Sequence, residues 1–208
     1  TNEPGSKLHP ELYGDIEKIL QNHVGYFVSN VGDYFGNAMF IHKDIEVLSH
    51  GEILLYKTPC FPDIQNPMAD HDRKAQWIIM KKDSKEYCVV NVHGHWTDGK
   101  KDTLHRIEQS KKLVELLSTV SAPKIVCGDL NLDPDTESVS HIETVGNVVD
   151  LIKKYNVQTT RNELYSGTHA FADYIFVSPE LLKNDSSYQF EVLKEVVSDH
   201  AALRFAFQ

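Results

Sequence analysis

The sequence predicts a mixed-sheet α/β protein, and two observations carry that reading. Short apolar runs succeed one another without an intervening helix through the first half of the chain, whereas helical periodicity separates them in the second half. The chain also closes on a clean alternation: Leu203, Phe205 and Phe207 point one way and Ala202, Arg204 and Ala206 the other, the period of a strand. Its 208 residues suit a single domain with a sizeable core. No repeat or Pro/Gly/Ser-rich linker divides them.

Taken in order, residues 4–21 read as a helix with Leu12, Ile16, Ile19 and Leu20 on one face. Strand-like runs follow at 26–28, 38–45, 53–56, 77–80 and 87–92. The clearest helix spans 102–120, with Asp102 as its N-cap and a stripe of Leu104, Ile107, Leu113, Val114, Leu116 and Leu117. A compact strand at 124–127 runs into a Gly-Asp-Asn-Pro-rich turn, a helical pair covers 137–145 and 147–155, and a further apolar strand lies at 174–177.

Charge and cysteine usage narrow the functional classes. With 21 Lys+Arg against 30 Asp+Glu the formal charge is −9, which argues against a protein built to coat long nucleic acid, whose affinity rests on a basic face. No run of about 18 apolar residues is present to span a membrane, and the polar opening Thr1-Asn2-Glu3-Pro4-Gly5-Ser6 predicts no secretory leader. Cys60, Cys88 and Cys127 lack C-x-x-C spacing, and their odd number argues against a disulfide framework. A reducing, cytoplasmic setting and a monomer are expected.

Polar residues collect where apolar strands end, the places where a rigid sheet holds side chains beside exposed loops. One strand runs into His93-Gly94-His95-Trp96 and another into Gly128-Asp129-Leu130-Asn131; Asp173 and Ser198-Asp199-His200 each open a strand. Each has an ordinary structural explanation alone. Asp129 and Asn131 share a face of an extended chain but also suit an Asx turn. His93 and His95 share a face too, although isolated strand histidines are more often simply packed. Asp199 and His200 reach one site only if the chain bends, which Ser198 permits. Lys100 and Lys101, after Gly99, suit a phosphate or a solvated loop.

Taken together, these segments resemble the endonuclease/exonuclease/phosphatase superfamily, which includes deoxyribonuclease I. The matching stretches are Val90-Val-Asn-Val-His93, Ile125-Val-Cys-Gly-Asp-Leu-Asn131, Ala172-Asp-Tyr-Ile-Phe-Val-Ser178 and Val197-Ser-Asp-His200, with Gly36-Asn-Ala-Met-Phe-Ile41 like an early core strand. The resemblance covers nearly the whole of 1–208 as one domain. It implies two packed mixed β-sheets flanked by helices, a four-layer α/β sandwich. The implied activity is metal-dependent hydrolysis of a phosphate ester by in-line attack of an activated water, as in a phosphodiesterase or nuclease. The implied partner is a short nucleic acid or a small phosphodiester.

By position, the resemblance implies that Asp129 orients or deprotonates the water and Asn131 binds the scissile phosphate. His200, held by Asp173, would stabilise charge on that phosphate, with His93 as a second phosphate-facing histidine. Asp199 would help hold Mg²⁺, with Mn²⁺ as the substitute, and Lys101 and Arg73 would contact substrate. One feature departs from the pattern: the family's first two strands, the second ending in Gln-Glu with the principal metal ligand, are not visible. They are expected upstream of Thr1, with Glu3 as a shifted alternative, and a chain without them should bind metal poorly and turn over slowly. Two other classes stay open: a zinc hydrolase using His93 and His95, and a catalytically impaired binding module on the same fold. Thr97-Asp98 counts against the first, because it replaces the last two places of H-x-H-x-D-H.

Overall fold

The computed structural model describes residues 11–33, 35–58, 71–97, 99–184 and 187–208. Its centre is a six-stranded mixed sheet in the order β3-β4-β5-β6-β8-β7, comprising β3 (Glu46–Tyr56), β4 (Arg73–Lys82), β5 (Lys85–His93), β6 (Lys124–Asp129), β7 (Val149–Asp150) and β8 (Asp173–Val177). Neighbours β3, β4 and β5 are antiparallel, with β4 and β5 joined by a tight turn at Asp83-Ser84, while β5 and β6 run parallel because α2 (Leu104–Ser118) crosses between them. Two antiparallel ribbons complete the strands: β1 (His23–Val31) with β2 (Phe35–His42), and β9 (Tyr188–Val192) with β10 (Leu203–Phe207).

The period of 2 along each central strand sends alternate residues to opposite layers. Ala75, Cys88, Val90, Val92, Val126, Tyr174 and Phe176 face the helices and form the main core with Leu113 and Leu117 of α2 and Val139 and Ile142 of α3 (Glu137–Val145). Burying each of these larger side chains stabilises the fold by roughly 1.5–3 kcal/mol. On the other face, Ile125, Cys127, Ile175 and Val177 pack against Leu203 and Phe205 of the β9–β10 ribbon. The β1–β2 ribbon is tied to the same face by side-chain amides. Gln76 Nε2 donates to Tyr26 O (2.8 Å), Asn91 Nδ2 to Ala38 O (3.2 Å) and Asn37 Nδ2 to Lys74 O (3.0 Å). Outside that ribbon, Tyr13 of α1 (Leu12–Ile19) packs on Phe27 and Phe40, so helices and strands stack as four layers.

Several boundaries differ from the sequence reading. The helix expected over 4–21 is described only from Leu12 to Ile19, its start lying outside the described residues. The second helix begins at Leu104 with Thr103, not Asp102, accepting from Arg106 N (3.3 Å). Asp102 instead takes Glu137 N (2.7 Å), Ser138 N (3.0 Å) and Ser138 Oγ (2.6 Å), and so ties the start of α3 to the start of α2. Leu104, placed in the apolar stripe, is 86% exposed, because the buried face of the helix runs through Arg106, Ser110, Leu113 and Leu117 and the helical period puts Leu104 on the opposite side. The helix expected over 147–155 is two residues of β7 and the short α4 (Leu151–Lys154), capped by Asp150. β9 was not predicted, although the sequence carries its signals: the turn residues Asn184-Asp185-Ser186-Ser187 precede it, and Tyr188, Phe190 and Val192 alternate with Gln189 and Glu191.

Candidate active site

Strand register assembles the site. β5 and β6 both end where β8 begins, and the pairing sets His93 beside Asp129 and Asp129 beside Asp173, a row across three adjacent strands. Neighbouring strands lie about 4.8 Å apart, so the three side chains stand shoulder to shoulder at one sheet end. Gly128 makes the last step possible. Its φ is +128°, and a Cβ there would lie 2.0 Å from Val92 O, so β6 can approach β5 closely just before Asp129.

After the strand, Asp129 Oδ1 accepts from Asn131 N (2.7 Å), an Asx turn, and Asn131 sits at φ +57°. The turn and the site are therefore one feature: the bend that satisfies Asp129 also brings Asn131 back into the cavity. His200 arrives from the segment before β10. Its N–H donates to Ser198 Oγ (3.0 Å), which makes the bend that lets Asp199 and His200 face one place. His200 Nδ1 lies 2.6 Å from Asp173 Oδ2. The buried Thr160 steadies that pair, since its Oγ1 accepts from Ala172 N (3.0 Å) and Asp173 N (3.2 Å) and its carbonyl accepts from Ala201 N (3.0 Å).

A cavity of about 390 Å³ opens over this row, and Arg73, His93, Lys100, Asp129, Asn131, Arg161, Asp199 and His200 all line it, with Trp96 and Tyr165 in its wall. Of the described residues that the resemblance assigned roles, all but two are thus brought together. Asp173 stands just behind His200, and Lys101 turns away. Lys101 Nζ is drawn to Asp135 (2.7 Å) and Asp133 (3.3 Å) on the surface, and its neighbour Lys100 enters the cavity instead. Arg161 escaped sequence reading altogether. It lies in a polar stretch without periodicity, yet its Nη1 bonds Asp199 Oδ2 (2.8 Å) and its guanidinium stacks on Tyr165 (4.4 Å to the ring centre).

Electrostatics separates the two histidines. Burial opposes protonation of His200, but the hydrogen bond and charge of Asp173, with Asp129 behind it, outweigh burial and raise its pKa. His93 is driven the other way, well below the ordinary histidine value, by burial and then by the positive charges of Arg73, His71, His200 and Lys100. At neutral pH one imidazole is biased toward the cation and the other is neutral. Asp129 is raised above the usual carboxylate range by burial and by the Asp173 charge, against the pull of Lys100, His200 and the Asn131 N–H.

The hard oxygen donors of the cavity do not by themselves make a magnesium site. Asn131 Oδ1 accepts from Lys100 Nζ, Asp199 Oδ2 from Arg161, and Asp173 Oδ2 faces His200. Among the described residues no three His, Cys, Asp or Glu side chains are disposed to hold a metal ion, and Glu3 lies outside them. The zinc alternative fares no better. His93 faces the cavity near Phe35 and His71 (ring centres 6.1 and 6.2 Å), whereas His95 packs on Tyr56 (4.1 Å) and His105 (5.6 Å). Their strand ends at His93, so the face-sharing rule stops one residue too early.

Comparison with solved structures finds the same architecture repeatedly. An endonuclease/exonuclease/phosphatase family protein from Bacteroides thetaiotaomicron superposes with a TM-score of 0.71 at 24% identity, over 97% of this chain and 80% of its own. A mannosyl-6-phosphatase from the same organism gives 0.67 at 24% identity, over 93% and 80%. The D. rerio TDP2 complexed with single-strand DNA product gives 0.62 at 15% identity, over 94% and 81%. Comparison with curated protein sequences finds no match. The sequence model of the Endonuclease/Exonuclease/phosphatase family matches residues 3–200, a span holding every strand-end side chain of the cavity, and the chain belongs to that family.

Proposed function

We propose that the chain hydrolyses a phosphate ester, with attack by a water held at Asp129. The family consists of phosphoester hydrolases that generally use divalent metal ions. The observation that carries the reading is the His93–Asp129–Asp173 row with His200 hydrogen-bonded to its last member. Hydrolysis of a phosphate ester needs stabilisation of charge growing on the phosphoryl oxygens more than covalent help. A raised Asp129 is a better base toward water. Asn131 Nδ2 already donates to Gly94 O (3.3 Å) and fixes the amide over the cavity floor for phosphate contact. His200, biased to imidazolium by Asp173, donates to a phosphate oxygen, while neutral His93 is a second hydrogen-bonding partner. Arg73 supplies fixed positive charge at the same sheet end.

Mg²⁺, with Mn²⁺ in reserve, is the expected ion, with Asp199 one of its carboxylates and the rest supplied from outside the described residues. Two further strands upstream belong to the same proposal, because among the described residues the second layer holds two separate ribbons. A compact substrate is favoured, either a small phosphodiester or a short oligonucleotide, since the cavity holds about 390 Å³ and the chain carries −9. A mannosyl-6-phosphatase and a TDP2 complexed with single-strand DNA product share the fold at 24% identity or less, and fold does not choose between their substrates. Free thiols at Cys88 and Cys127 suit a reducing, cytoplasmic setting.

The test is a panel of bis-p-nitrophenyl phosphate, nicked DNA, RNA and inositol phosphates with Mg²⁺, Mn²⁺ or Zn²⁺, on the chain alone and with its upstream segment restored. Hydrolysis that fails in Asp129→Asn and His200→Ala supports the reading; activity with Zn²⁺ alone, or none with the segment restored, overturns it. One observation favours a catalytically impaired binding module as the second reading: the described donors do not close a metal site. That reading predicts function unchanged by both substitutions.

A further inference from the structure

The loop joining β5 to α2 is held by a device that the hydrolase reading does not use. Arg106, on the first turn of α2, is completely buried. Its Nε donates to His95 O (3.0 Å), and its Nη1 to Gly99 O (3.1 Å) and Lys101 O (2.5 Å). Beside it, the buried Gln109 accepts from His95 N through Oε1 (2.8 Å). From the other side Asp133 N donates to Lys100 O (2.8 Å). The loop is therefore fastened at both ends and at its middle. Burying a guanidinium to satisfy carbonyl groups is a costly way to stabilise a helix, because desolvating the charge offsets much of what the hydrogen bonds return. A leucine would leave all three carbonyls without that donor, so the guanidinium's role is to fix the path of the loop rather than merely to fill space.

That role lies with the residue the clamp surrounds. Lys100 is 3% exposed, and its ammonium donates to Asn131 Oδ1 inside the cavity. An ammonium carries three N–H donors, and among the described residues no carboxylate stands within ion-pair distance of this one. A buried cation that, among the described residues, has no direct ion pair and only the nearby charges of Asp129 and Asp173 to offset it, and that is aimed at an amide beside Asp129 and His200, suits an anion. We propose that Lys100 grips the phosphoryl oxygens of the substrate and that Arg106 is the positioning residue that holds it there. This rests on the cavity being a phosphate-ester site. Fixing a lysine with four rotatable bonds before the anion arrives removes an ordering cost that binding would otherwise bear.

The experiment measures the affinity of the full chain for inorganic phosphate by calorimetry with MgCl₂ present, alongside kcat and KM on bis-p-nitrophenyl phosphate. Lys100→Met should weaken phosphate binding roughly tenfold or more. Arg106→Lys should weaken it less, should raise KM more than it lowers kcat, and should have no effect in a Lys100→Met background, because positioning has nothing left to position. If Arg106→Lys does not fold, Gln109→Leu releases His95 N and should show the same dependence on Lys100. Additive losses in the double variant overturn the positioning role, and unchanged phosphate affinity in Lys100→Met overturns the whole inference while leaving the hydrolase reading intact. A chain that binds phosphate through Lys100 yet hydrolyses nothing with its upstream segment restored supports this inference and sinks the hydrolase reading. A chain that does neither sinks both.

Discussion

At the scale of single residues, the site works by setting like groups apart. Two imidazoles lie in one cavity, and their neighbours drive them in opposite directions. Asp173 holds His200 toward the cation, while Arg73, His71, His200 and Lys100 add to burial in keeping His93 neutral. Catalysis that needs cationic His200 is lost as pH rises through its raised pKa. Asp173→Asn should therefore move the basic limb of the kcat/KM profile to lower pH and cut the rate by about 10²–10⁴. A rate loss without movement of that limb would assign it to another group. The acidic limb belongs to Asp129 and should lie above the ordinary carboxylate range. Because Lys100 pulls Asp129 down, Lys100→Met should move that limb upward. Linkage to stability runs in opposite senses. His200's contribution is fully present below the unfolded histidine value and fades as pH rises through its higher folded one; His93's is present above the unfolded value and fades as pH falls below it. His93→Gln should accordingly reduce the stability lost between about pH 7 and pH 5, read as the shift in urea midpoint.

Elements show which sequence signals were sufficient. The strand ends were legible because an apolar run followed by Gly-Asp or His-Gly is a local pattern, and β6 needed only its last two residues added. Capping was not. Asp102 and Thr103 are both good N-cap types, and the choice between them was made by a helix starting 35 residues later. The Lys100 and Lys101 pair was equally undecidable, since what separates them is the distant Asp135 and the Arg106 clamp. Two predictions belong at this scale. Asp102→Ala leaves the amides of Glu137 and Ser138 without that acceptor and should cost about 1–2 kcal/mol in denaturant unfolding. Asp102 is held below the ordinary carboxylate range: burial opposes this, but hydrogen bonds from Ser138 and the α3 amides outweigh it, so its contribution is present at neutral pH and lost as pH falls through its lowered pKa. Gly128→Ala combines a positive φ with a clash against the β5 backbone and should cost about 1–3 kcal/mol. It should also lower activity beyond the loss of folded chain, because it displaces Asp129; activity per folded molecule that stays unchanged would show that the register there is slack.

The whole molecule joins an acidic surface to a locally cationic cavity. The formal charge of −9 speaks for the exterior, while Arg73, Lys100 and Arg161 are gathered at one sheet end. Composition revealed only the first of these, because a count of charged residues carries no positions; periodicity gave the mixed-sheet α/β class, and the layered arrangement came from the family resemblance that the strand-end motifs carry. The two scales make a joint prediction about nucleic acid. A protein that tracks a long duplex neutralises many phosphates, and its log affinity falls with log salt at a slope near −0.9 for each one. A cavity with three fixed cations should give a slope no steeper than about −3 by that rule. Fluorescence anisotropy of labelled duplex DNA across a salt series measures it. A slope near −3 or shallower, with weak binding at physiological salt, is expected of an enzyme that takes one phosphate group at a time; a slope beyond roughly −5 would reveal an extended phosphate-binding face and overturn the preference for a compact substrate.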